Sequence, residues 1–267
     1  MFTEFLSRMI KKEDEVLLSY DNHRNNLGDI LSPLIARHFG SKKVKRVSKR
    51  NCKNFEHYFM IGSILQRCTS KSIIWGSGLI SETAHCEEVP KKVLAVRGPL
   101  TRKKLLLQGI ECPEIYGDPA LLLPEMYPDK KEKKKYKIGI IPHFKDKKDP
   151  ALKLPFTNNP SIKIIDIQNK YPLQVIDEIL SCEKILSSAM HGLIIGDAYR
   201  IPSVWIEFEK PFEDGHFKFQ DYFKSVGRTV KGPVKFNEFS GLEDMDKVFQ
   251  PYVINIDLEA LKNSFPF

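Results

Sequence analysis

Long apolar runs are missing from this sequence of 267 residues, and none approaches the ~20 consecutive residues that a membrane-spanning helix needs. The first twelve residues carry an early acid, Glu4, and no long apolar core, which argues against a secretory signal. Cysteine is scarce. Cys52, Cys68, Cys86, Cys112 and Cys182 are odd in number and include no Cys-x-x-Cys pair. That excludes a paired disulfide framework and a paired zinc site, and it reads as cytosolic thiols. Nucleotide fingerprints are also lacking: there is neither a complete Gly-x-Gly-x-x-Gly nor a P-loop Gly-Lys-Ser/Thr. The basic runs Ser41–Arg46 and Lys130–Lys135 have little aromatic interleaving, so they lack the stacking platforms of single-strand nucleic-acid binders.

What is present is an ordinary globular composition, 42% hydrophobic and 28% charged, in a chain long enough for one large or two small domains. Lys and Arg number 42 against 34 acids, a net charge of +8. The excess reads either as attraction to anionic partners or as a solvated Lys-rich surface.

Short apolar strands alternate with helices. A short amphipathic helix is expected over residues 1–12, then strands at 15–20, 44–47, 58–61, 72–75 and 93–96. Helices are expected at 30–39, closed by Gly40, and from Arg97 to Gln108, with Gly109 as stop. Residues 128–136 are charged and nearly without apolar side chains, as in an exposed linker. A second series follows: strands at 137–141, 162–167, 183–187 and 203–206, and helices at 172–182, 190–199, 217–226 and 257–265. This alternation implies an α/β fold with mostly parallel sheets. It divides into a first unit, 1–127, and a second, 137–267, with a ligand cleft between them. The last helix is expected to pack back on the first unit.

Candidate site residues sit where strands end and helices begin, the usual ligand position in open parallel sheets. His191 is the sharpest. It follows the strand 183–187 and the pair Ser187-Ser188, and it opens a helix with Gly192 and Gly196 on one face. A titratable imidazole there is well placed to meet an anion. The turn Asn25-Asn26-Leu27-Gly28-Asp29 reads either as a helix cap or as an anion cradle. Arg97, straight after an apolar strand, could grip a carboxylate or phosphate through its planar fork, assisted by Arg102, or form a structural ion pair. His143 follows the strand 137–141 on the same side. Asp118-Pro119 reads mainly as a helix cap, with Asp118 kept as a site candidate beside that reading.

Six segments in this order resemble the polysaccharide pyruvyl transferase family: Asn25–Asp29, Trp75–Gly78, Val96–Thr101, Tyr116–Pro124, Ile141–His143 and Ser188–Pro202. Each is weak alone; the ordered set is specific. The resemblance implies two Rossmann-like domains in a GT-B-like arrangement with an interdomain cleft. It implies transfer of pyruvate from phosphoenolpyruvate onto two hydroxyls of one sugar, forming a cyclic ketal. The acceptor would be a bacterial surface glycan or its lipid-linked precursor, handled in the cytoplasm with peripheral contact at an anionic inner membrane face. Phosphoenolpyruvate is then a co-substrate. No metal or cofactor is expected, because protonation drives the addition.

In this reading His191 protonates the donor methylene, and Arg97, His143, Ser188 and Lys218 hold the donor. Asn26, Gly28 and Asp29 line the acceptor side, with Asp29 as a candidate base. The sequence departs from the family pattern beside the histidine. Many members carry an Arg there and this chain has Met190, which leaves the donor grip to Arg97 with Lys218. Two rival readings stand beside it: a nucleotide-sugar glycosyltransferase of the same architecture, and a non-catalytic basic binding protein.

Overall fold

The structure is a computed structural model that describes residues 15–21, 25–40, 43–131, 133–209 and 215–267. The expected helix over 1–12 lies outside the described residues.

Two five-stranded sheets carry the fold. The first contains β1 (Glu15–Leu18), β2 (Lys43–Arg46), β3 (His57–Phe59), β4 (Ser72–Trp75) and β5 (Lys92–Ala95). The second contains β6 (Tyr136–Ile141), β7 (Ile162–Ile164), β8 (Cys182–Ser187), β9 (Ser203–Glu207) and β10 (Val234–Lys235). Every pairing is parallel. The first sheet runs β2-β1-β3-β4-β5, and the second, from its β7 edge, runs β7-β6-β8-β9-β10. The order is therefore the same in both, and each sheet reverses its winding between its first and third strands. β1 and β4 are buried along their whole length, as strands covered on both faces must be.

The helices are α1 (Leu27–Gly40), α2 (Pro99–Leu107), α3 (Leu123–Met126), α4 (Pro172–Leu180), α5 (Met190–Ala198), α6 (Phe217–Ser225), α7 (Leu242–Lys247) and α8 (Leu258–Asn263). Helix α1 begins three residues before the expected start, so Gly28 and Asp29 lie in its first turn rather than in a loop. The strands expected to end at Ile61 and Ile167 stop at Phe59 and Ile164; Ile165 still donates its N–H to the Ile140 carbonyl (2.9 Å). Helix α5 is buried from Met190 to Asp197, on all sides. Such a helix belongs in a core rather than on a surface.

One apolar cluster runs through both sheets. Leu31, Ile35 and Trp75 of the first half join Ile185, Leu193 and Phe219 of the second, with Leu121 to Leu123 between them. The chain end closes back on the first sheet. Trp75 Nε1 donates to the Leu261 carbonyl (2.9 Å) and to Ser264 Oγ (3.0 Å), and Phe265 packs edge-on to the Trp75 ring. The charged segment 128–136 is mostly exposed, but Lys134 Nζ donates to the Leu180 carbonyl (2.6 Å).

Two buried Arg–Asp pairs tie distant segments. Arg97 and Asp221 link α2 to α6 (Nη2 to Oδ2, 2.9 Å) and are both fully buried. The close approach depends on Gly98, where a Cβ would stand 2.0 Å from the Asp221 carbonyl oxygen. At the other end of α5, Asp197 accepts twice from Arg228 Nη1 (2.7 and 2.9 Å) and also from Tyr222 and Tyr252 hydroxyls (2.7 and 2.6 Å). A cavity of about 1150 Å³ lies beside this second cluster, lined by Leu121, Asp197, Pro251 and Tyr252. It is at the opposite end of α5 from His191.

Candidate active site

His191 is the second residue of α5, just past the carboxyl ends of β6 and β8. These two strands are where the second sheet reverses its winding, the position at which ligands bind in open α/β sheets. The side chain is 7% exposed. Its ring lies against α1 of the first half, and a Cβ on Gly28 would stand 2.1 Å from Cε1 and 2.4 Å from both ring nitrogens. Only glycine leaves room for the imidazole.

On the other side is Asp118, fully buried, with Oδ2 at 3.5 Å from His191 Nε2. Neither atom has a hydrogen-bond partner among the described residues. The other Asp118 oxygen accepts the Ala120 N–H (2.9 Å) and caps the helical turn Pro119–Leu122. The capping role was legible in Asp-Pro. The second oxygen's role was not, because its neighbour is 73 residues away along the chain. Buried polar atoms are rarely left unpaired, so the orphaned donor–acceptor couple at the switch point makes this the candidate site.

Asp29 completes this cluster. Asn26 Nδ2 donates to Asp29 Oδ2 (2.9 Å), and the Asp21 backbone N–H also reaches the carboxylate. Burial pushes the Asp29 carboxyl above its ordinary value; the Asn26 hydrogen bond and the His191 charge oppose that without cancelling it. Asn26, Gly28, Asp29, Asp118 and His191 thus come together from both halves.

The remaining expected donor contacts are placed differently. Ser188 is buried and its hydroxyl is already used twice: it accepts the His143 backbone N–H (2.8 Å) and donates to Asp146 Oδ2 (2.6 Å). It positions the His143 loop rather than offering a free group. Burial raises the Asp146 carboxyl, with the Ser188 bond in opposition. His143 is half-buried beside Phe144. Lys218, in the first turn of α6, is 8% exposed with its ammonium 5.4 Å from the Phe219 ring centre. Glu207, at the end of β9, is paired with Lys235 and with His216 Nε2 (3.2 Å). Burial works to raise the Glu207 carboxyl, but these two partners outweigh it and leave it low.

Arg97 is the clearest difference from the sequence reading. Its guanidinium is fully buried. It donates to Asp221 Oδ2 through Nε (3.0 Å), to Ser63 Oγ through Nη1 (2.6 Å) and to the Leu79 carbonyl through Nη2 (2.7 Å). The structure therefore realises the ion-pair alternative. Asp221 also accepts the Thr101 N–H (2.9 Å) and hydroxyl (2.6 Å), so the α2 start, α6 and the arginine form one closed unit. Arg102 is likewise turned away, donating Nε to the Cys112 carbonyl (3.1 Å).

With this geometry in view, the comparisons with known proteins can be set against it. An uncharacterized protein, L143, of Acanthamoeba polyphaga mimivirus is 26% identical over 247 residues, 87% of this chain and 85% of that protein. Succinoglycan biosynthesis protein ExoV of Rhizobium meliloti (strain 1021) is 29% identical over 172 residues, 63% of this chain and about half, 52%, of ExoV. No solved structure matches. The model of the family described as polysaccharide pyruvyl transferase matches residues 26–209. That span begins at Asn26 and includes Asp29, Asp118 and His191. The residues gathered around the imidazole lie inside the matched span, and the chain belongs to the polysaccharide pyruvyl transferase family.

Proposed function

We propose that this protein transfers pyruvate from phosphoenolpyruvate onto two hydroxyls of one sugar in a polysaccharide or its lipid-linked precursor, closing a cyclic ketal. Family membership supports pyruvyl transfer in polysaccharide biosynthesis. The observation that carries the finer reading is the buried, unpartnered pair of His191 Nε2 and Asp118 Oδ2 at 3.5 Å.

His191 delivers a proton to the methylene carbon of phosphoenolpyruvate, which makes the adjoining carbon electrophilic. A sugar hydroxyl adds to that carbon and gives its proton to Asp29. The carbon–oxygen bond to phosphate then breaks, phosphate departs, and the neighbouring hydroxyl closes the ketal, its proton returning to His191. Asp118 sets a carboxylate beside the ring that carries the proton, in a site from which bulk water is excluded. A carboxyl held above its ordinary range, as Asp29 is, makes a better base than an exposed one. Lys218 and His143 face the donor's anionic groups from the second half. Arg97 acts as a positioning residue: its bonds to Asp221 and Ser63 hold α6 and the loop after β3 beneath the site.

The test is phosphate release from phosphoenolpyruvate across a panel of acceptor glycans. Wild type releases phosphate only with a matching acceptor, and His191→Gln lowers turnover by at least ~10²-fold while melting like wild type. Thermal stabilisation by a sugar nucleotide and none by phosphoenolpyruvate would instead support glycosyl transfer and overturn this reading.

A further inference from the structure

The loop after β3 reaches the cluster around Asp29 and His191, and none of its side chains has yet a part in the reaction. Gly62 and Ser63 stand there, beyond the carboxyl end of β3, which lies next to β1 where the first sheet reverses its winding. A Cβ on Gly62 would lie 3.7 Å from Asp29 Oδ1, so the loop packs over that carboxylate. Gly62 has a φ of +115°, a conformation that favours glycine. Its carbonyl accepts from Ser77 Oγ (2.8 Å) and from the Gly78 N–H (3.1 Å), and the Ile61 N–H donates to Ser32 Oγ (3.3 Å). The segment after β4 and helix α1 thus hold the loop from two sides, and the side chain it presents is Ser63.

Ser63 is half-buried, and its hydroxyl oxygen accepts from Nη1 of the fully buried Arg97 (2.6 Å). A guanidinium accepts nothing, so the Ser63 proton is left for another partner. No described group takes it. The rest of the Arg97 fork is spent inside the protein, on Asp221 and on the Leu79 carbonyl. Gly78 sheathes the group closely: a Cβ there would stand 2.5 Å from Cζ. Among these partners, Asp221 and Leu79 are fully buried and Ser63 alone keeps exposed surface. A hydroxyl that accepts a charge-assisted bond is polarised by it and donates more strongly in turn.

We propose that Ser63 is a donor-binding residue that gives its hydroxyl hydrogen bond to the carboxylate of phosphoenolpyruvate, and that Arg97 acts on the donor through it. The proposal rests on the pyruvyl-transfer reading and adds a contact from the first half of the chain. That carboxylate is bonded directly to the carbon the sugar hydroxyl attacks, and Asp29 takes the hydroxyl proton. The two carboxylates therefore come close, and a hydrogen-bond donor beside Asp29 offsets their repulsion. A bare guanidinium there would pair with Asp29 and pull its carboxyl down, undoing what burial does for the base. A neutral hydroxyl backed by a buried cation avoids that. Phosphate leaves during the reaction, whereas the carboxylate stays on the pyruvyl group from donor to ketal, so one fixed donor serves every step.

The test compares binding of phosphoenolpyruvate and of vinyl phosphate, which lacks the carboxylate, to wild type, Ser63→Ala, Ser63→Cys and Ser63→Thr. Wild type should bind phosphoenolpyruvate the more tightly. Ser63→Ala should weaken phosphoenolpyruvate at least ~10-fold and leave vinyl phosphate unchanged, as expected for one lost hydrogen bond to a charged group. Ser63→Thr keeps the hydroxyl and should recover most of the affinity. Ser63→Cys, a weaker donor that still fills the space beside Arg97, should lose affinity for phosphoenolpyruvate alone. In turnover, KM for phosphoenolpyruvate should rise by more than kcat falls in Ser63→Ala. Unchanged phosphoenolpyruvate affinity in Ser63→Ala and Ser63→Cys overturns the proposal. Equal losses for the two ligands also overturn it, because a purely structural role weakens both alike. A wild type that binds neither ligand and consumes no phosphoenolpyruvate with any acceptor overturns the transfer reading and this contact with it. An active wild type with an indifferent Ser63 overturns the contact alone.

Discussion

At the reversal point of the first sheet, four exposed cations surround a 400 Å³ crevice with one carboxylate among them. At the reversal point of the second, His191 is buried against Asp118, and toward the β10 edge Glu207 takes up Lys235 and a ring nitrogen of His216. The strand order is the same in both sheets, so topology does not account for the difference. The segments after the strands do. After β2 the chain enters the polar turn Ser48–Asn51, and its charges stay in water. After β8 it enters Ser187-Ser188 and an apolar helix that is buried throughout, so each polar group must find a partner inside or remain orphaned for a substrate. Exposed cations exchange counter-ions freely and suit binding. A buried imidazole beside a carboxylate suits proton transfer. The comparison teaches that one topology presents two positions, and the loops assign each its chemistry.

The most damaging way to break the relation between the two sheets is to cut the pair that spans them. Arg97→Ala leaves Asp221 buried without its cation, and removing one partner of a buried pair costs about 3–5 kcal/mol. Urea denaturation should show that loss. Arg97→Lys should recover only part of it, because an ammonium cannot reproduce the bonds to Asp221, Ser63 and the Leu79 carbonyl together. A variant as stable as wild type, with only a raised KM for phosphoenolpyruvate, would return Arg97 to the donor contacts.

Which side of this comparison was legible in the sequence follows from chain distance. His191 stood out because its signals are local: an apolar strand, two serines, then glycines at helical spacing. Alternating strands and helices likewise predicted parallel α/β sheets, which the structure contains. Arg97 was legible as a charge at the end of a strand, but its partner Asp221 is 124 residues on, and no local pattern marks it. Asp118 was legible as a cap and not as the neighbour of His191 for the same reason. The basic crevice is assembled from Tyr20, Arg46 to Arg50 and Arg67, three separate stretches. Along the chain, Ser41–Arg46 looks like part of a solvated surface. Only the convergence of β1, β2 and β3 brings Arg46, the charges of the next turn and Arg67 around one space.

A subtler change separates the two positions without cutting the fold. Gly28→Ala places a methyl within 2.1 Å of the His191 ring, which must swing away. In the first turn of α1 alanine gains at most about 0.8–1.0 kcal/mol of helix propensity over glycine, which offsets part of the ~1–3 kcal/mol that overpacking the ring costs. Misplacing a catalytic group by about 1 Å can cost ~10²-fold, and turnover should fall on that scale. A variant with turnover near that of wild type would mean that the ring need not stay against α1 for the reaction.

The smallest expected effect, and the one with a defined sign, comes from Asp29→Asn. The Asp29 carboxyl is raised in the folded protein, chiefly by burial. Between its unfolded value, about 3.9, and its higher folded value, the native state holds more protons than the unfolded state, so stability falls as pH rises through that window. Above it the full cost remains, which means that ionised Asp29 destabilises the protein at neutral pH. Asparagine cannot ionise, and its amide oxygen can still accept from Asn26. Asp29→Asn should therefore raise the melting temperature at pH 7, with the gain shrinking as pH falls through that window and gone below about 4. Turnover should fall and lose its acid-side limb, since the base that had to deprotonate is gone. A gain in stability together with a loss of turnover is what a base held in an unfavourable buried position predicts. A variant that melts earlier at pH 7 would show that the Asn26 and Asp21 bonds to the carboxylate outweigh its burial, and would make Asp29 a structural cap of α1.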